Sequence, residues 1–300
     1  MNRLYETLAA LGADRVLRDE PMSAHTTFKV GGPADICFFP RSEEELLLAM
    51  DAAAREGAPC MVMGNGSNLL VRDGGIRGLV IILGADFANV EIDGREMNCQ
   101  AGAALSKVAN LAMEASLTGL EFASGIPGSL GGGVAMNAGA YGGQMSDVLI
   151  RARVLREGKI EEYSLYRMEM GYRTTRPLRE GSIVLSAVLE LREGDKEVIA
   201  QRMRDLNARR RDKQPLNLPS AGSTFKRPEG YFAGALIEQA GLKGLTVGGA
   251  QVSEKHAGFI VNMGGASATD VLRLVELVQA RVLAASGVAL EPEIRIVGVD

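Results

Sequence analysis

The sequence has little of several residue types, and each scarcity narrows what the chain can be. Only two histidines occur in 300 residues, His25 and His256. With neither an HExxH helix nor a cluster of histidine and cysteine, a zinc enzyme is not expected and no metal ligand is assigned. Cysteines number three, Cys37, Cys60 and Cys99, at wide spacing among apolar or strand-like neighbours. An odd, scattered set reads as buried free thiols in a reducing compartment, not as a disulfide framework. No apolar run approaches the roughly 20 residues that cross a bilayer. The N-terminal MNRLYETLAALGADRV carries Glu6 and Asp14, unlike a signal or transit peptide. A cytoplasmic protein with no membrane partner is the expectation. A dominant charge is lacking too, because 33 Lys and Arg stand against 37 Asp and Glu for a net −4. That balance argues against a nucleic-acid partner held by phosphate contacts, while leaving room for one small polyanion.

Glycine, in contrast, is concentrated. The stretch ASGIPGSLGGGVAMNAGAYGG, residues 123–143, holds Gly125, Gly128, Gly131, Gly132, Gly133, Gly139, Gly142 and Gly143 with one proline, Pro127. Flexible linkers interleave glycine with solvated polar residues. Here Ile126, Leu130, Val134, Met136 and Ala138 are interleaved instead, so a packed segment that brings its backbone against a ligand is expected. A second loop, GNGSNLLVRDGG at 64–75, follows a strand-like CMVMG. It lacks the third glycine of the dinucleotide fingerprint, and no helix opens after it, so an ordinary nicotinamide-binding fold loses ground. A tight turn with asparagines in left-handed conformations explains this loop alone equally well. The two loops flank one α/β segment, and together they suit a long ligand with a central diphosphate.

Hydrophobic content of 46% supports genuine cores, and 300 residues suggest two or three domains. The first 25 residues read as an amphipathic helix with Leu4, Leu8 and Leu11 on one face, followed by an extended entry. TTFKVGGPADICFFP reads as two strand-like runs hinged at Gly31 and Gly32. Ser42 and Glu45 form a capping box before a helix that Gly57 ends. Buried strands are expected at 79–83 and 97–102, then a helix with Leu105, Val108, Ala112 and Ala115 inward. Residues 150–192 read as β-structure, a long basic helix follows, and Pro215 and Pro219 mark a domain boundary. Beyond it come a short helix at FAGALIEQAG, a strand at GFIVN, and a C-terminal helix opened by Ser267 and Asp270 with Val271, Val275, Val278 and Val282 on one stripe.

Several polar residues have two readings. Tyr172 and Arg173 stand just before a Thr-Thr turn, and Arg173 is most simply a solvated charge. Arg209, Arg210, Arg211 and Lys213 are most simply a solvated helix end that complements the helix dipole. Ser223 in an Ala-Gly-Ser-Thr turn is an ordinary turn residue or part of a polar pocket with Lys226 and Arg227. If the ALEPEIRIVGVD end is extended, Glu291, Glu293 and Arg295 share one face, opposite Ile294 and Ile296. An exposed edge and a catalytic carboxylate both remain open there.

Five separated motifs occur in order: TTFKVGGPAD, GNGSNLLV, IPGSLGGGVAMNAGAYGG, PSAGSTFKRP and EPEIRIVG. Over residues 26–298 they closely resemble the UDP-N-acetylenolpyruvoylglucosamine reductase family, flavoenzymes of bacterial peptidoglycan synthesis. The resemblance implies an α+β protein: a two-subdomain FAD-binding fold of the vanillyl-alcohol-oxidase type plus a C-terminal α/β substrate-binding domain. Residues 1–84, with the strand 288–300 returning to them, and 85–213 would be the FAD subdomains, and 214–287 the UDP-sugar domain. It implies non-covalent FAD, NADPH as co-substrate, UDP-N-acetylglucosamine enolpyruvate as substrate, UDP-N-acetylmuramate as product, and a monomer serving cell wall biogenesis, cell shape and cell division.

Residue by residue, the resemblance makes Ser223 the proton donor, Arg173 the cation facing the enolate and carboxylate, and Glu293, not Glu291, its acidic partner. It assigns FAD to the first loop, Gly64, Asn65, Gly66, Ser67, Asn68 and Leu69. To the second it assigns Ala123, Gly125, Ile126, Pro127, Gly128, Gly131, Gly132, Asn137, Gly139 and Ala140. Tyr172, Lys213, Arg227 and His256 are implied substrate contacts. Some relatives carry asparagine at the position of Arg227 and an amide at that of His256. The chain resembles the shorter subtype, which lacks an inserted tyrosine-bearing loop. A flavin oxidase on the same fold and a non-enzymatic nucleotide-sugar binder are the rival readings.

Overall fold

A computed structural model describes all residues, Met1–Asp300. The chain divides into two compact units. Unit 1 comprises Met1–Val16, Phe38–Asn65 and Val80–Arg210, and unit 2 comprises Leu17–Cys37, Gly66–Leu79 and Arg211–Asp300.

Unit 1 is built on a five-stranded antiparallel sheet ordered Lys159–Ser164, Leu149–Arg156, Ile183–Glu190, Glu96–Gln100, Val90–Asp93. Period-2 patterning sends Ala152 and Val154 inward and Arg153 outward. The alternation breaks at Leu155, buried next to Val154, just beyond a register shift between Arg153 and Val154. The extra residue, Leu185, lies on the neighbouring strand, whose pairing passes from Ser186 to Val184 as at a bulge. The helix Leu105–Glu114 buries Leu105, Val108, Ala109 and Ala112 in the same core. Ala115, expected inward, is exposed because the helix stops at Glu114 and Ser116 takes φ 58°.

The helix Asn2–Gly12 buries Leu4 and Leu8 and packs on the helix Glu43–Arg55. Half of the expected capping box forms there: the Ser42 hydroxyl accepts from the Glu45 N–H at 3.2 Å. The Glu45 carboxylate goes elsewhere, accepting from Arg15 Nη1 at 2.5 Å, Arg15 Nη2 at 3.0 Å and the Arg41 N–H at 2.7 Å. A forked guanidinium is a stronger partner than one amide N–H, and it holds the Glu45 carboxyl below its ordinary range.

Unit 2 pairs an antiparallel sheet, Thr246–Val247, Ala250–Val252 and Ile260–Asn262, with the helices Ala233–Gln239 and Ala268–Ser286. The long helix has its full capping box at Ser267 and Asp270, its four valines buried, and Gly287 at φ 71° closing it. Asp73 adds acceptors for the N–H groups of Ala268 and Thr269 at 2.7 and 2.9 Å. Of the two strand-like runs expected in TTFKVGGPADICFFP, only Pro33–Phe38 is a strand. Phe28 and Val30 are buried, but Lys29 between them takes φ 55° and the Thr26 hydroxyl donates to the Val30 carbonyl, so the first run is a turn. The extended entry expected after the N-terminal helix contains the strand Val16–Pro21.

Cys37 and Cys99 are buried, and burial pushes each thiol up to about 12. Cys60 is exposed, contrary to expectation, because it opens a strand whose burial increases only toward Met63. No helix is long and apolar enough to cross a membrane.

Candidate functional site

In unit 1 the glycine-rich stretch folds into a short helix, Leu130–Ala135, despite three consecutive glycines of poor helix propensity. Tertiary contact replaces propensity. The N–H groups of Leu130 and Gly131 donate to the carbonyls of Ala103 and Ala101 at 2.7 and 2.8 Å, and Gly128 O accepts from the Leu105 N–H at 3.0 Å. A Cβ on Gly131 would lie 2.7 Å from that of Ala101 and 3.2 Å from the Val184 carbonyl oxygen, whereas one on Gly132 would meet nothing nearer than Ser129 Oγ at 3.5 Å. Gly131 therefore serves close packing, and Gly132 is the exposed glycine of the pair.

The two loops singled out in the sequence meet within unit 1. A Cβ on Gly64 would fall 2.1 Å from Ser129 Oγ. The Asn65 side-chain amide donates to the Pro127 carbonyl at 3.5 Å. Ala123 is fully buried at the end of a short turn, and its N–H donates to the Leu120 carbonyl. Gly125 packs on the long basic helix Lys196–Lys213, where its Cβ would meet Asn207 Oδ1 at 2.5 Å and Arg210 Cδ at 3.0 Å.

Arg210 is the functional candidate that the sequence concealed. Its Nε is buried without a hydrogen-bond partner, and burial lowers the pKa of its guanidinium. Three adjacent arginines look alike as letters; only the i, i+3 spacing of Asn207 and Arg210 hinted that they share a face. A half-buried cation against a glycine-rich loop fits an anionic group such as a nucleotide diphosphate.

Next to this loop lies the turn that carries Arg173. Gly171 and Thr174 exchange backbone hydrogen bonds around Tyr172 and Arg173, and Arg173 takes φ 54°. Its Nη2 donates to the Gly139 carbonyl at 3.2 Å. Tyr172 is 58% exposed. An open depression of about 810 Å³ adjoins the same turn, lined by Ser146, Leu165, Tyr166, Arg167, Glu169, Met170 and Arg176. Its two arginines are paired with Glu161 and Glu180, and none of the residues assigned to cofactor or substrate lines it.

Unit 2 brings Ser223 and Glu293 onto adjoining segments. The Glu293 N–H donates to the Thr224 carbonyl at 2.8 Å, the Lys226 N–H donates to the Glu291 carbonyl at 2.8 Å, and Phe225 bridges Pro292. Asn68, in the part of the first loop that belongs to unit 2, donates its side-chain amide to the Glu293 carbonyl at 3.1 Å. The chain then bends at Ile294 and re-pairs, Arg295–Val297 running parallel to Leu69–Val71. This change of partner overturns the single extended face expected for the C-terminus. Ile294 is buried, but Ile296 is 38% exposed. It also separates the two glutamates: Glu291 is exposed and salt-bridged to Lys226 at 3.0 Å, while Glu293 is half-buried beside the Ser223 turn.

Of the remaining candidates in unit 2, Lys213 is exposed at its helix end. Arg227 lies 3.9 Å from the centre of the Phe232 ring and donates to the Tyr231 carbonyl. His256 sits between Gly234 and Gly258; its Nδ1 accepts from the Gly258 N–H at 3.1 Å, and burial lowers its pKa, favouring the neutral ring.

Known proteins provide an independent view of the whole chain. Residues 34–164 match the FAD binding domain model, and residues 214–297 match that of the UDP-N-acetylenolpyruvoylglucosamine reductase C-terminal domain. The UDP-N-acetylenolpyruvoylglucosamine reductase of Clostridioides difficile is 52% identical over 98% of this chain and 97% of its own. This chain belongs to that family. The enzyme of the same name from Pediococcus pentosaceus is 50% identical over 95% of both. The crystal structure of the Thermus caldophilus UDP-N-acetylenolpyruvylglucosamine reductase superposes with a TM-score of 0.82 at 39% identity, covering 94% of this chain and 98% of that one. The α+β architecture expected from the motifs, an FAD-binding domain of the vanillyl-alcohol-oxidase type with the family's C-terminal domain, is thereby established.

Proposed function

We propose that this oxidoreductase reduces the enolpyruvyl group of UDP-N-acetylglucosamine enolpyruvate to give UDP-N-acetylmuramate, with NADPH as the source of reducing equivalents. When bound, FAD supplies the hydride that the reduction requires. The glycine loops and Arg210 would hold its diphosphate portion, and residues 214–287 would take the UDP-sugar. The motif resemblance carries the finer points of a cytoplasmic, monomeric enzyme.

The chain's own residues must manage charge and one proton. Hydride arriving at C3 of the enolpyruvyl ether leaves negative charge at C2, delocalised into the adjacent carboxylate. Arg173 would hold that carboxylate and neutralise the developing charge with its fixed fork of donors. Ser223 Oγ would donate its proton to C2. Serine is a very weak acid, which suffices here because the carbanion-like centre is a strong base. Glu293 would act with it as a hydrogen-bonding partner. The observation that carries this reading is the pairing of the Ser223 turn with the Glu293 segment through the Thr224 carbonyl, at 2.8 Å.

The visible spectrum of the purified protein under nitrogen tests it. A yellow protein that NADPH bleaches, and whose colour returns on adding the enolpyruvyl substrate but only slowly in air, is expected. Fast recovery in air would indicate an oxidase, and a colourless protein that still takes up the UDP-sugar would indicate a binding protein.

A further inference from the structure

Asn137 was assigned to the cofactor, but the structure engages its side chain with protein. The residue is 3% exposed and takes φ 44°. Its Nδ2 donates to the Gly171 carbonyl at 3.1 Å, with Gln144 Oε1 at 3.4 Å, and its Oδ1 accepts from the Ser146 N–H at 3.0 Å. It is the middle of three alternate positions that grip the Arg173 turn. Before it, the Ala135 carbonyl accepts from the Thr175 hydroxyl at 2.7 Å; after it, the Gly139 carbonyl accepts from Arg173 Nη2. Thr175 is fully buried and also caps the next short helix. The segment that leaves the glycine-rich helix thus holds the turn at its entry, at the arginine itself and at its exit.

We propose that Asn137 is a positioning residue for Arg173, fixing the left-handed turn on which the guanidinium is mounted. The inference rests on the role given to Arg173 above. A non-glycine residue at positive φ persists only when its surroundings over-determine it. Gly171 O is the one acceptor through which Asn137 reaches the turn, so loss of that donor lets the turn relax toward ordinary backbone and carries the guanidinium off its target. A misplacement of about 1 Å at a reacting centre can cost on the order of 100-fold in rate.

Asn137→Asp tests this with little change of shape, because aspartate tolerates positive φ and keeps the acceptor for Ser146 but loses the donor to Gly171. The variant should retain its FAD, measured from the ratio of visible to ultraviolet absorbance, and its rate of bleaching by NADPH. Re-oxidation by saturating substrate should fall about 10- to 100-fold. In an Arg173→Ala background the same change should have no further effect, since a residue acting only through Arg173 has nothing left to position. Equal slowing in both backgrounds, no slowing in either, or loss of FAD from the variant would each overturn the proposal. If Arg173→Ala alone re-oxidises at the normal rate, the reading of Arg173 fails and the proposal with it. Asn137→Ser, which keeps a small polar side chain but not its reach to Gly171, repeats the test should the aspartate variant fold poorly.

Discussion

The glycine-rich stretch of unit 1 and the adjoining Ser223 and Glu293 segments of unit 2 are built from opposite materials. The first uses main chain brought close, at positions where a Cβ would intrude on Ala101 or Asn207. The second uses two side chains of ordinary type, distant in sequence, on segments aligned by two backbone hydrogen bonds. The difference teaches why one was readable from composition and the other was not. Only glycine permits such close approach, so a run of glycines among apolar residues announces itself. Serine in a turn and glutamate near a strand end are common everywhere, and their proximity is a tertiary fact.

The two glutamates of the C-terminus give the largest effect with which to probe this contrast. Glu293→Gln should lower turnover by about 10²–10⁴-fold. Glu291→Gln, which removes only an exposed pair with Lys226, should leave turnover unchanged and shift stability by less than about 1 kcal/mol. Steady-state rates and a thermal melt check both, and equal rate losses at the two positions would mean that the bend at Ile294 does not separate their roles.

Neighbouring glycines give the next largest effect, on the backbone side of the comparison. Gly131→Val should destabilise unit 1 by overpacking against Ala101, typically about 1–3 kcal/mol. Gly132→Val should fold normally, because its Cβ has room, yet bind FAD weakly because the new side chain stands where the cofactor approaches. Denaturant titration and FAD content separate the two, and a Gly132→Val protein with full FAD content would remove this glycine from the cofactor site.

Smallest for turnover is the effect at Glu45, a carboxylate in the helix-packing region of unit 1. Glu45→Gln should cost about 1.5–3 kcal/mol, the range for a hydrogen bond to a charged group, without changing turnover. Since Arg15 holds the Glu45 carboxyl below its unfolded value, its contribution is full above the unfolded pKa of about 4.3 and is lost as pH falls through the lower folded pKa. The wild-type and variant melting temperatures should therefore converge on acidification.

Glu45 also marks where local patterns stop being sufficient. At Ser267 and Asp270 the capping box formed in full because partners three residues apart satisfied one another. At Ser42 it formed by half, because Arg15, remote in sequence, offered the glutamate a stronger partner. The same non-local logic hid Arg210 among identical neighbours, left the turn at Lys29 reading as a strand, and joins the Asn137 side chain to the Gly171 carbonyl. Sequence patterns recovered four strands of the five-stranded sheet and the long helices, because burial on one face imposes periodicity; the fifth, Val90–Asp93, is a mostly exposed edge strand and carries no such pattern. The five ordered motifs supplied the catalytic assignments, which no spacing in the chain implies.

The division of labour between cofactor loops and side chains is tested most directly by rapid mixing of Ser223→Ala under nitrogen. The account predicts that NADPH bleaches the variant at close to the wild-type rate, while re-oxidation by the enolpyruvyl substrate slows by about 10³-fold. Re-oxidation at the wild-type rate would contradict it.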